Sequence, residues 1–165
     1  MIQGVMDSSN DVILDLYLTP NDPQHLQELK DLCAADSRIT IHDPVPYENL
    51  VTVLNQYDVG ISLIPPNTFN LLYSLPNKIF DYIQARIGVI VGPSPEMAWV
   101  VKRAQNGAVA GNFGAQALTR LIDRLDVQVV SSWKRASDRA AEEFSAGLQT
   151  AVWRSAIEEM MAETR

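Results

Sequence analysis

Cysteine, histidine, basic charge and long apolar runs are all scarce in this chain. Its 165 residues include a single cysteine, Cys33, and two histidines, His25 and His42. One cysteine allows no internal disulfide and no cysteine-rich metal site. The histidines fall in different expected elements without ligand spacing, so no metal is expected. Cys33 follows Leu26, Leu29 and Leu32 at helical spacing, which assigns it to core packing. No run reaches the roughly 18 apolar residues of a membrane-spanning helix, and the first residues lack a signal-peptide core. The expected compartment is therefore cytoplasmic. Lys and Arg number 13 against 20 Asp and Glu, a formal net charge of -7. That balance argues against a nucleic-acid partner, which needs a basic surface to neutralise phosphates. It does not exclude a small anion, because distant acidic charge is screened beyond about 10 Å. Lys102-Arg103 and Lys134-Arg135 read as solvated helix faces. Glycine-rich phosphate loops are absent too. There is no G-x-G-x-x-G, no Walker sequence and no G-x-S-x-G, and Gly111-Asn112-Phe113-Gly114 has the wrong spacing.

What is present is a hydrophobic share of 47% with 20% charged residues, fitting one globular domain with its own core. Apolar runs at Val12–Leu18, Arg38–His42, Val59–Ile64, Val89–Val91 and Ala108–Ala110 read as strands. Helical patterns alternate with them. Asp22-Pro23 opens the first in cap-then-proline order. Pro46 opens a second, with Leu50, Val51, Leu54 and Tyr57 inward. Ser94-Pro95 opens another, stopped by Asn106-Gly107. Before the first strand, Ile2, Val5 and Met6 fit the tail of a helix. Alternating strands and helices mean βαβ units, hence an α/β, Rossmann-like, mainly parallel sheet flanked by helices. The last third has no strand. Extra C-terminal helices are expected there, with Leu148, Val152, Ala156 and Met160 as one stripe and Trp153, Ile157 and Met161 widening it. The expected division is residues 1–130 for the α/β domain and 131–165 for a helical extension.

The organising stretch runs from Tyr73 to Val91. Ser74 offers a cap, Pro76 suits a first helical turn, and Ile79, Phe80, Ile83 and Ile87 form an apolar face. Asn77 and Asp81 are four apart on another face, with Lys78 one turn from Asp81. Free N–H groups at a helix start, a lysine and a carboxylate one turn in suit an anion with a neighbouring diol. Asp81 serving only its own helix dipole and pairing with Lys78 is the competing reading.

Ser74-Leu75-Pro76-Asn77-Lys78-Ile79-Phe80-Asp81-Tyr82, then Gly88-Val89-Ile90-Val91 and Pro95-Glu96-Met97, resembles the C-terminal, donor-binding half of a GT-B glycosyltransferase of the group 1, GT4-like class. Upstream, Val45-Pro46-Tyr47-Glu48-Asn49-Leu50 and Tyr57-Asp58-Val59-Gly60-Ile61-Ser62-Leu63 resemble the segment before that loop. The resemblance implies a Rossmann-like half that binds a nucleotide-sugar, with Tyr73, Ser74, Leu75, Pro76, Asn77, Lys78 and Asp81 as donor-binding positions. Lys78 would stabilise the diphosphate leaving group, and Asp81 would hold the ribose. The nucleotide-sugar is then a substrate, and no cofactor or metal is expected. Many members carry two glutamates eight apart, where this chain has Tyr73 and Asp81. The resemblance also implies a separate N-terminal acceptor-binding domain, and any peripheral membrane contact would belong to the full-length enzyme. It further implies a first strand with basic residues, for which nothing before Val12 provides a match. An excised fragment, a truncated reading frame and one part of a split enzyme stay open, as does a non-catalytic interaction domain that has lost nucleotide binding.

Overall fold

The computed structural model describes residues 1–163. In chain order these form α1 (Ile2–Met6), β1 (Leu14–Tyr17), α2 (Pro23–Cys33), β2 (Ile39–His42), α3 (Tyr47–Leu54), β3 (Val59–Ser62) and α4 (Phe69–Leu72). There follow α5 (Asn77–Gln84), β4 (Gly88–Val91), α6 (Pro95–Ala104), β5 (Gly107–Val109), α7 (Ala115–Ile122), α8 (Val127–Ala140) and α9 (Ala146–Glu163). Each apolar run expected as a strand overlaps one, with β4 and β5 each starting one residue earlier than expected. The Asp22 carboxylate caps α2 by accepting from the N–H groups of Gln24 and His25, with Pro23 in the first turn.

Every strand pair is parallel, which makes the fold α/β with helices flanking parallel strands. The strands do not form one continuous ladder. β1 pairs with β2, and β3, β4 and β5 pair in that order, with no ladder joining β1 to β3. The central strand β4 is buried along its whole length, which explains its unbroken apolar sequence. Its alternate residues serve two cores. Val89 and Val91 pack with Ile79 and Ile83 of α5 and with Met97, Val100 and Val101 of α6. Ile90 packs on the opposite face with Leu118 and Ile122 of α7 and Val5 of α1.

That second core holds β1 and β2 in place through Leu14, Leu16, Ile39 and Cys33. Cys33 is buried, and burial raises its thiol pKa. Arg38 adds a polar tie. Its guanidinium donates to the carbonyls of Val5, Met6 and Ser8 and to the Asp36 carboxylate.

Several local expectations are corrected. α3 buries none of its residues, so Leu50, Val51 and Leu54 do not reach a core. A short helix, α4, interrupts the loop after β3, capped by the Thr68 hydroxyl. Asn106-Gly107 is not the stop of α6. Gln105 takes the left-handed conformation there, at φ 55°, while Asn106 is buried and Gly107 begins β5. Gly107 is needed for a different reason, since a Cβ would collide with the backbone of Val89. α8 starts earlier than its apolar pattern suggests because Asp126 caps it, accepting from the Val129 N–H at 2.7 Å. Ala136, Ser137 and Ala140 of α8 are buried, so this helix belongs to the main core. α9 differs: its apolar stripe, including Val152, Trp153 and Ile157, is exposed.

Candidate functional site

The loop after β3 and the start of α5 form the site marked by the sequence. Phe69 and Tyr73 lie against one another at either end of α4, with ring centroids 4.7 Å apart. The Ser74 hydroxyl donates to the Leu71 carbonyl at 3.0 Å, closing α4 instead of capping α5. Pro76 is the N-cap of α5 and is extended (φ -71°, ψ 144°), and no side chain caps this helix. The Ile79 N–H bonds the Pro76 carbonyl, while the Asn77 and Lys78 N–H groups have no protein acceptor among the described residues. An uncapped first turn carries partial positive charge aimed at solvent.

α5 has a strongly amphipathic sequence that fixes its orientation. Ile79 and Ile83 are fully buried, which turns Lys78 and Asp81 toward an open cleft of about 1090 Å³ that both residues line. Tyr73, Ser74, Leu75, Pro76 and Asn77 lie outside the lining of that cleft. No ion pair joins Lys78 to Asp81, and Lys78 has no partner among the described residues. The local pairing considered from sequence is therefore absent. Burial raises the pKa of Asp81, and a hydrogen bond with the Tyr47 side chain at the start of α3 offsets part of that rise. Beside Asp81, the Tyr82 ring lies under Gly60 of β3, where a Cβ would strike it. Its hydroxyl donates to the Ile61 carbonyl at 3.3 Å, and burial pushes its pKa up to about 12.

A second polar group, whose Asp15, Tyr17 and Tyr57 line the cleft, escaped sequence reasoning. His42 Nε2 lies 2.6 Å from Asp15 Oδ1, and the His42 ring stacks on Tyr17 with centroids 5.0 Å apart. The Tyr17 and Tyr57 hydroxyls are 2.7 Å apart, and burial raises the pKa of Tyr57. The usable signal was strand register. Tyr17 lies opposite His42 in the parallel pair, and Asp15 shares the face of Tyr17 two residues away. Among the described residues, no group of three or more His, Cys, Asp or Glu side chains is arranged to hold a metal ion. No described helix is long and apolar enough to cross a membrane.

No protein-family model and no curated protein matches the sequence. Among solved structures, the crystal structure of WaaG, a glycosyltransferase involved in lipopolysaccharide biosynthesis, is similar in fold. The TM-score is 0.54 at 13% sequence identity, over 73% of this chain. The chain has a GT-B-like fold. It covers 31% of WaaG, so the likeness concerns about a third of that molecule. A GT-B-like sheet offers ligands the crevice beyond the carboxyl ends of its strands. The loop between Ser62, the last residue of β3, and Asn77, the first of α5, leaves from such an end.

Proposed function

We propose that this chain is the nucleotide-sugar donor-binding domain of a glycosyltransferase that moves a sugar from a nucleoside-diphosphate donor to a glycan or other acceptor. The observation that carries this reading is the start of α5. Uncapped N–H groups, an unpaired Lys78 and a half-buried Asp81 converge there on a GT-B-like fold. A diphosphate would be received by the backbone from Leu75 to Lys78, and the ribose hydroxyls would donate to Asp81. Lys78 would stabilise the negative charge that develops on the leaving diphosphate, a contribution realised in the transition state. Tyr73, against Phe69, stands where many members carry a glutamate, and would give the sugar a ring instead of a carboxylate.

Transfer also requires the acceptor hydroxyl to be held about 3–3.5 Å from the anomeric carbon. In a GT-B enzyme that surface belongs to the other domain, so this chain alone binds donor without glycosylating an acceptor. Isothermal calorimetry with UDP, GDP, ADP and CDP tests the reading. One of them binds, and Asp81→Ala weakens binding by about 1–3 kcal/mol without altering the circular dichroism spectrum. Equal affinity of both proteins would remove Asp81 from the site. A non-catalytic interaction domain is the second reading, favoured by Tyr73 standing where many members carry a glutamate. Its signature is wild-type protein that is folded yet binds none of the four nucleotides.

A further inference from the structure

The residues just ahead of α5 form an aromatic platform. Phe69 and Tyr73 stand four apart at α4, a spacing that puts both rings on one face. Their centroids are 4.7 Å apart, with the ring planes tilted by 41°. α4 has only four residues, too few to persist on helix propensity alone. Its ends are fixed by side chains instead. The Thr68 hydroxyl accepts from the Leu71 N–H at 3.2 Å, and the Ser74 hydroxyl donates to the Leu71 carbonyl at 3.0 Å. Leu71 and Leu72 are half-buried, whereas Phe69 is 75% and Tyr73 46% exposed. Leu75, at 36%, carries the apolar surface on toward α5.

This surface is uncharged as well as apolar. Between Asp58 and Lys78 the sequence holds no charged residue, whereas 20% of the whole chain is charged. The polar side chains of the segment are neutral, with Asn67, Asn70 and Asn77 exposed. Hydrogen bonds to an ionised partner are about twice as strong as those between neutral groups. A fully hydroxylated sugar therefore finds its weaker class of partner here. A hydroxyl pressed against a ring without a partner costs the bond it gave up in water, while a methyl group in the same place gains by leaving water. The platform favours a sugar that offers an apolar group.

The position of the platform supplies its ligand. On the reading that α5 binds a donor, on which this inference rests, the diphosphate lies at Leu75 to Lys78 and the ribose at Asp81. The parts of a nucleotide-sugar follow in the order sugar, diphosphate, ribose and base. The sugar thus leaves the diphosphate on the side away from the ribose, toward the residues before Leu75. Tyr73 is two residues from Leu75, at most about 7 Å along the backbone. We propose that the donor sugar carries a methyl group, either the C6 methyl of a 6-deoxyhexose or the methyl of an acetamido sugar, and that this group rests on the Phe69 and Tyr73 rings. The remaining hydroxyls are met by the neutral asparagine amides. Lys78 and Asp81 take no part in this choice, which α4 makes.

The test is calorimetry on the whole chain with UDP, GDP, ADP and CDP, and with each nucleotide that binds joined to a hexose, its 6-deoxy form or its 2-acetamido form. The gluco, galacto and manno series are all used. In at least one series a methyl-bearing donor binds about tenfold more tightly than the plain hexose donor, the scale on which an apolar contact discriminates. Which of the two forms does so tells whether the methyl is carried at C6 or on the amide. Changing the sugar leaves the protein intact, so misfolding cannot imitate the preference. Phe69→Ala, at an exposed position, brings the ratio of affinities close to one. Equal binding within every series, or tighter binding of the plain hexose, overturns the inference. The nucleotide reading then still stands on the affinity of the bare nucleotide. A preference that persists in both Phe69→Ala and Tyr73→Ala also overturns it, because the methyl then rests elsewhere. If neither the nucleotides nor their sugars bind, both readings fall together.

Discussion

Asp81 shows how a residue can serve a ligand at the expense of its own fold. Burial raises its pKa, so the folded state prefers the protonated form. The stability it contributes is present below the ordinary value of 3.8 and is lost as pH rises through the raised folded value. Asp81→Asn should therefore exceed wild type in Tm at neutral pH, and the advantage should vanish in acid below 3.8. An unchanged difference across that range, followed by thermal melts, would mean that ionisation of Asp81 costs the fold nothing. Asp123 behaves oppositely. The Ser8 hydroxyl, then Ser9, hold its pKa low, so its contribution is lost as pH falls through that lowered value. At this scale the sequence was partly legible. Lys78 and Asp81 could be placed on one side of α5 because spacing alone decides that. The role of Ser74 could not, because its hydroxyl found the Leu71 carbonyl within a short helix that no apolar periodicity announced.

Among the elements, α8 and α9 look alike in composition but do different jobs. Ser137 of α8 accepts from the Asn106 amide at 2.9 Å and donates to the Ile87 carbonyl at 2.6 Å, with all three residues buried. Ser137→Ala leaves two buried polar groups unpaired and should cost about 1–3 kcal/mol in urea denaturation. Deleting residues 146–165, which removes α9, should change the same measurement by less than about 0.5 kcal/mol, because the helix rests on no core. A larger loss on deletion would show that α9 supports the fold. The strands were the most legible elements, since each is a short apolar run and β4, buried on both faces, is apolar throughout. The start of α8 was not legible because its cap, Asp126, precedes the first clear apolar repeat. The break between β1 and β3 could not be read at all. A strand's own pattern says which face is buried and nothing about which strand lies beside it.

For the whole molecule, the two ladders predict two levels of stability. β4 is hydrogen-bonded on both sides and wholly buried, whereas β1 and β2 share one ladder and connect to the remainder by side chains and Arg38. Native-state hydrogen exchange should find the amides of β1 and β2 opening at lower free energy than those of β4. A common opening energy would mean that the side-chain core alone makes the molecule cooperative. The composition and the alternation of elements made the α/β architecture legible, because βαβ units admit few other solutions. The open cleft was not legible, being a property of strands that fail to meet. The contribution of α8 also sets an order of events at the ribosome. Ala140 and Ala141 close the core built on Val89 and Val91, and the Ala141 carbonyl accepts from the Gln84 side chain at 2.7 Å. Some 50 residues separate Val91 from Ala141, a delay of roughly 2.5–10 s at synthesis rates of 5–20 residues per second. During that interval the nascent chain carries its most apolar strand without the helix that seals it, a natural moment for a chaperone to engage.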